Sequence, residues 1–261
     1  MARHLESPSG DRADWDVLYL ARGADQVVAH RPIFTGDVFQ AVPVLTPRGD
    51  KKTKTVMVIQ HPCAMRPNGA DLAESLLVAE VRQHPEVAPN NWKGYGKLMP
   101  LPDVFPAYQS GRRHQAAFYD HTYHAHADDL TDRVACLSLR GMNLLLQRWV
   151  YHSARIVVPT FDFDEVVSPV FEEADLIEEW CGLAMEHGHS VDEARHDVAA
   201  WLKEETGGIS RRQALENRQR RPEIRREVRS AAGTWRALAP GVAAATEGSA
   251  PSEPAEGELL A

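Results

Sequence analysis

Three apolar runs separated by two charged, turn-rich loops fill residues 36–83, and they limit the fold of this chain more than any other feature. GDVFQAVPVL (36–45) reads as a strand, edged or interrupted at Pro43. TPRGDKKTK (46–54) reads as a turn-rich loop. TVMVIQ (55–60) is β-branched and apolar enough for a buried strand, and Pro62 stops regular pairing just after it. A second loop, MRPNGAD, leads to SLLVAEVRQ (75–83), which fits strand or helix because the run is too short for periodicity to separate the two.

Around these runs the chain divides into four zones. Residues 1–14 are polar and predict a flexible N-terminus. Residues 15–165 carry the β-type signals, including WDVLYLA (helix or strand), short strands at Phe105–Tyr108 and Gln115–Tyr119, and another at RVACLSL. The Pro-, Gly- and Asn-rich stretch at 84–103 predicts a long excursion, and MNLLLQRWVYHSARIVV has the apolar spacing of a helix ending before Pro159. Residues 166–238 read as a helical extension: Ser168-Pro169 as a cap and first-turn proline, Ser190 with Glu193 as a capping box, Ser210 as a further cap, and Pro222 opening the last helix. Residues 239–261, rich in Ala, Glu, Pro, Ser and Gly, predict a disordered tail.

Charge and cysteine usage exclude several classes. A formal charge of −8 argues against a wholly basic nucleic-acid binder and leaves room for a local basic patch. Cys63, Cys136 and Cys181 lie far apart with no CxxC spacing, which argues against a disulfide scaffold and a cysteine-rich zinc module and fits a cytoplasmic protein. The first residues lack the apolar core of a signal peptide, and no apolar run has a membrane span's length, so no membrane association is expected.

The segment from Gly36 to Arg82 resembles the start of the MazF/PemK toxin barrels. The likeness rests on Gly36-Asp37-Val38-Phe39, the charged loop 46–54, the run Val56–Gln60 and the run Leu76–Val81, with CLSLRGMNLLLQRWV similar to the closing strand and helix of that family. It extends over roughly residues 36–150. The resemblance implies an α+β chain: an SH3-like β-barrel that dimerises, here with a C-terminal helical extension. It also implies a metal-independent endoribonuclease acting on single-stranded RNA, with no cofactor. The family's catalytic arginine falls at Lys54 and its catalytic threonine at Ser75. Both are departures: Lys keeps the charge without the bidentate fork, and Ser keeps a hydroxyl. A barrel that has lost catalysis is equally compatible.

The residues also speak without the family. Three of the chain's six lysines (Lys51, Lys52, Lys54) sit with Arg48 in seven residues that hold one acid, Asp50. Such a basic finger can position phosphates, or simply protect a hairpin edge. Cleavage of RNA would need a base and a cation; His61 can act near neutral pH beside the charge of Lys54 and the hydroxyl of Ser75. His61 and Cys63 end a buried strand, where a small buried cysteine is the plainer account of Cys63. His114, His121, His124 and His126 lie near three aspartates but lack a metal-binding signature, so no metal is assigned.

Residues 210–236 hold nine Arg and three Glu, +6 against −14 for the rest of the chain. Arg211, Arg212 and Arg218 are therefore candidate DNA or RNA contacts. The same arginines can instead pack on the chain's own acids at 162–165 or 172–179, or form an arm for a protein partner. Two alternatives to an RNA-directed protein follow: a non-catalytic DNA- or RNA-binding regulator using the Arg-rich helices, and an interaction module of a mobile-element or defence system.

Overall fold

The computed structural model describes residues 4–8, 15–23, 25–67, 71–108 and 110–238. The predicted tail, 239–261, lies outside them, as does most of 1–14. A 3-10 turn at Trp15–Leu18 leads into β1 (Tyr19–Arg22). Then come β2 (Val38–Leu45), β3 (Lys51–Val58), a single turn of helix α1 (Pro62–Met65) and β4 (Ser75–Gln83). β5 (Leu98–Leu101), β6 (Gln115–His126) and β7 (Asp132–Leu137) complete a seven-stranded antiparallel sheet in the order β1-β7-β2-β3-β4-β6-β5. The chain is thus α+β.

The sheet does not close. β1 and β5 are its edges, and no hydrogen-bonded ladder joins them or joins β6 to β7 among the described residues. It is strongly curled, however. β2 and β6 pack together across it although they are not neighbours in the sheet. Register breaks at Phe39/Val42 in β2 and at Ala79/Glu80 between β4 and β6 supply the bend, as bulges do. At the first of these Ala41 takes a left-handed φ of 54°.

The curl separates two cores. Its concave side holds Phe39, Val42, Val44, Val56, Val58, Leu76, Val78 and Ala125, all essentially buried. Its convex side carries Met57, Ala79, Ala117 and Tyr119, covered by α2 (Leu139–Ala154) through Leu144 and Leu145. The alternation of apolar side chains between faces is what assigns each residue its core. Each fully buried aliphatic or aromatic side chain contributes about 1.5–3 kcal/mol. Gly141 lets α2 approach closely: a Cβ there would stand 2.3 Å from the Leu18 carbonyl oxygen.

Several elements depart from the sequence reading. Lys51–Lys54 are strand rather than loop; the turn is only Thr46–Asp50, closed by a hydrogen bond from Gly49 N–H to the Thr46 carbonyl. Pro47 fits its second position, and Gly49, at φ 84°, supplies the left-handed residue that ends it. Phe105–Tyr108 is not a strand, whereas Gln115–Tyr119 extends to twelve residues.

The helical extension begins before residue 166. α3 (Thr160–Glu186) runs straight across that boundary with Pro169 inside it. Its N-terminus is capped from a distance. Glu6 accepts hydrogen bonds from Thr160 N (2.8 Å) and Thr160 Oγ1 (2.7 Å), so residues 4–8 are docked rather than loose. Early α3 packs on α2 through Phe171, Val167, Met142 and Leu146. Later α3 shares a separate core with α4 (Val191–Lys203), α5 (Arg211–Ala214) and α6 (Arg221–Leu238). The capping boxes at Ser190 and Ser210 are both present. A two-stranded ribbon, β8 (Glu205–Thr206) with β9 (Ile209–Ser210), separates α4 from α5.

Candidate nucleic-acid interface

The β2–β3 hairpin projects its basic residues from the sheet. Val44 pairs with Lys52 and Val42 with Lys54, so both lysines leave from the concave face, beyond the end of its apolar core. Arg48, Lys51 and Lys52 are exposed; Lys54 is half-buried. Among the described residues no carboxylate pairs with Arg48, Lys51 or Lys52.

Lys54 has a partner that sequence reasoning missed. Its Nζ lies 2.8 Å from Glu80 Oε1, and the Tyr123 hydroxyl donates to Glu80 Oε2 at 3.1 Å. Glu80 is 5% exposed. Burial alone would raise its carboxyl pKa; the Lys54 ammonium, the Tyr123 hydroxyl and the nearby Arg82 outweigh that and hold it below the usual range. Tyr123 moves the other way, raised by burial and by the Glu80 charge. The signal in the sequence was a lone acid inside the apolar run SLLVAEVRQ, since a buried carboxylate requires a partner.

Lys54 and Ser75 are not brought together. Val56 pairs with Glu80 and Val58 with Val78, so Lys54 belongs to the C-terminal end of β4 while Ser75 opens it. Ser75 and Glu80 are separated by roughly 17 Å along the strand. At the Ser75 end, its Oγ is 3.5 Å from His124 Nδ1. His61 stands at this same end, because Ile59 N–H bonds to the Leu77 carbonyl. His61 caps α1, its Nδ1 accepting from Cys63 N–H at 3.3 Å, and burial lowers its pKa. Cys63 is exposed, not the buried small hydrophobe expected.

The other histidines of that region do separate jobs. His114 is buried and accepts a hydrogen bond from Asp103 N–H at 3.0 Å. His126 sits 3.5 Å from Glu74 and 3.6 Å from Asp128. Among the described residues no three His, Cys, Asp or Glu side chains are grouped as metal ligands.

The arginines of the C-terminal helices are held internally. Arg212 grips Glu173 with two nitrogens, Nε to both oxygens at 3.1 and 3.0 Å and a terminal nitrogen at 2.8 Å. Arg211 bridges Glu204 (2.5 Å) and Glu227 (2.8 Å), and Arg218 pairs with Asp164. Arg225 meets Glu172 (2.6 Å) and Arg229 meets Glu179 (2.6 Å), lacing α6 to α3. The partners of Arg212, Arg218, Arg225 and Arg229 lie in the acidic stretches 162–165 and 172–179 singled out from the sequence, whereas those of Arg211 lie outside them.

Among the described residues no helix is long and apolar enough to cross a membrane. The chain matches no protein-family model and no curated protein.

Proposed function

We propose that this chain binds single-stranded RNA, with the β2–β3 hairpin as its phosphate contact, on a scaffold related to the SH3-like MazF/PemK barrels. The observation that carries the reading is the contrast between the two basic regions. On the hairpin, Arg48, Lys51 and Lys52 face solvent without an acidic partner among the described residues, whereas Arg211, Arg212 and Arg218 are engaged by the chain's own carboxylates. Arg82, exposed on β4, adds another cation beside Lys54 that makes no ion pair among the described residues. Unpaired, closely spaced cations on an acidic protein focus a field that attracts a polyanion.

Kinship with the barrels rests on the sequence resemblance, whose matched segments occupy these elements. The strand that follows Gly36-Asp37 lies between β3 and β7, β4 follows β3, and β7 leads into α2. Because Ser75 stands far from Lys54, the reading is one of binding, and cleavage is left as a readout of the test.

The test is fluorescence anisotropy with labelled single-stranded RNA over a salt series in EDTA, with the same samples run on a gel. The expected result is salt-sensitive binding that Lys51→Glu with Lys52→Glu weakens at least tenfold, with a shallower salt slope. Binding indifferent to those changes would remove the hairpin from the interface; no binding at any salt would overturn the reading. Cleavage in EDTA that survives Lys54→Ala and Ser75→Ala would make other residues responsible for it.

A further inference from the structure

We infer that a base-stacking platform adjoins the basic hairpin, so that a bound strand is held by an unpaired nucleobase as well as by its phosphates. This rests on the RNA-binding reading given above. Four residues form the platform. The Arg82 guanidinium lies over the Phe118 ring, 4.3 Å from its centroid. The His84 ring is 6.2 Å from Phe118 and meets Tyr95 edge-on at 5.7 Å. Arg82 is exposed, and Phe118, His84 and Tyr95 are each half-buried.

Their placement follows from the sheet. Phe118 pairs with Glu80 in the β4–β6 ladder, and Arg82 lies two residues further along β4, so all three side chains share one face. Lys54, bonded to Glu80, reaches the same face from the neighbouring strand. His84 Nδ1 lies 2.7 Å from the Pro85 carbonyl oxygen, which can only accept; the ring proton is therefore on Nδ1 and the ring plane is fixed. Cations and flat rings thus lie side by side, at the edge of the cluster that also holds Tyr123.

This pairing of groups has a chemical meaning. A polyanion alone would need only the lysines. Guanidinium and aromatic planes offer faces to a nucleobase, and only an unpaired base presents its own faces in return. Arg82 is suited to both tasks: it makes no ion pair among the described residues, and its plane already lies over a ring.

The test compares labelled oligouridine with an abasic oligomer of the same length and charge, using the full chain and the variants Phe118→Leu and Arg82→Lys, each checked by circular dichroism. The chain is expected to bind oligouridine about tenfold more tightly than the abasic oligomer. Each variant should bring the ratio of oligouridine to abasic affinity down to about one. Arg82→Lys, at an exposed position, keeps the test decisive should Phe118→Leu misfold. Equal binding of both oligomers by the parent chain would overturn the platform while leaving the hairpin reading intact. Binding of neither would overturn both.

Discussion

The Lys54 ammonium and the Glu80 carboxylate form a hydrogen-bonded ion pair 2.8 Å long between adjacent strands, with Glu80 nearly out of contact with water. Glu80 therefore orients the lysine and, at the same time, subtracts from the positive field of the hairpin.

Glu80→Gln should separate these effects. The amide keeps the shape and an acceptor for the Tyr123 hydroxyl but drops the charge. RNA affinity is expected to rise about threefold with a steeper salt dependence. Stability is expected to fall by about 1 kcal/mol, a few degrees in a thermal melt. A fall in affinity would show that Lys54 acts through its fixed position rather than its charge.

Glu6 caps α3 from 154 residues away, and its stabilisation should depend on pH. Burial raises its carboxyl pKa, but the hydrogen bonds from Thr160 and Gln147 and the Arg140 charge bring it below the ordinary 4.5. A depressed carboxylate stabilises the fold above its unfolded pKa and loses that contribution as pH falls through the folded value. Glu6→Ala should cost about 1 kcal/mol at pH 7. The gap between variant and parent melting temperatures should narrow below pH 4.5. A gap constant down to pH 2 would assign the effect to packing of Leu5 and its neighbours.

Arg212→Lys tests the internal use of the C-terminal arginines. Lysine keeps the charge but cannot make the two-nitrogen grip on Glu173. Chemical denaturation should show a loss of about 1 kcal/mol with RNA affinity unchanged. Unchanged stability with weakened RNA binding would return this helix to the interface.

Two small residues should respond in opposite directions. Gly141→Ala forces a methyl group onto the Leu18 carbonyl oxygen and should cost about 2 kcal/mol or more. Ala41→Gly relieves the left-handed φ of 54° at the β2 bulge and should raise the melting temperature by one to a few degrees, about 0.5–1 kcal/mol.

Much of this architecture is legible where apolar periodicity and capping residues agree. Ser190 with Glu193 and Ser210 with Gln213 mark helix starts by chemistry that acts within four residues, so sequence alone locates them. Val56 to Val58 likewise declare a buried strand. Sequence reading fails where distant groups decide. Lys51 to Lys54 look like loop by charge, yet they pair with Val42 to Leu45, whose apolar face fixes their register. Pro169 looks like a helix start, because nothing local reveals that Glu6 caps Thr160 nine residues earlier. β5, LMPL, is invisible because a four-residue run with a proline has no pattern of its own; it exists by pairing with Gln115 to Phe118. In the candidate site, the basic finger is readable as composition. Its partners Glu80, Tyr123 and Phe118 are not, because only the ladders bring them together.

The cap that Glu6 places on Thr160 also sets a clock. At synthesis rates of roughly 5–20 residues per second, the glutamate waits roughly 8–30 s before its helix exists. β1 waits almost as long for β7, the strand it pairs with. The β1 edge of the sheet and the start of α3 are thus each completed by a partner more than a hundred positions away in the chain. During that interval the nascent chain carries β2, β3 and β4 with an uncovered convex face, the period in which a holding chaperone would find most to bind.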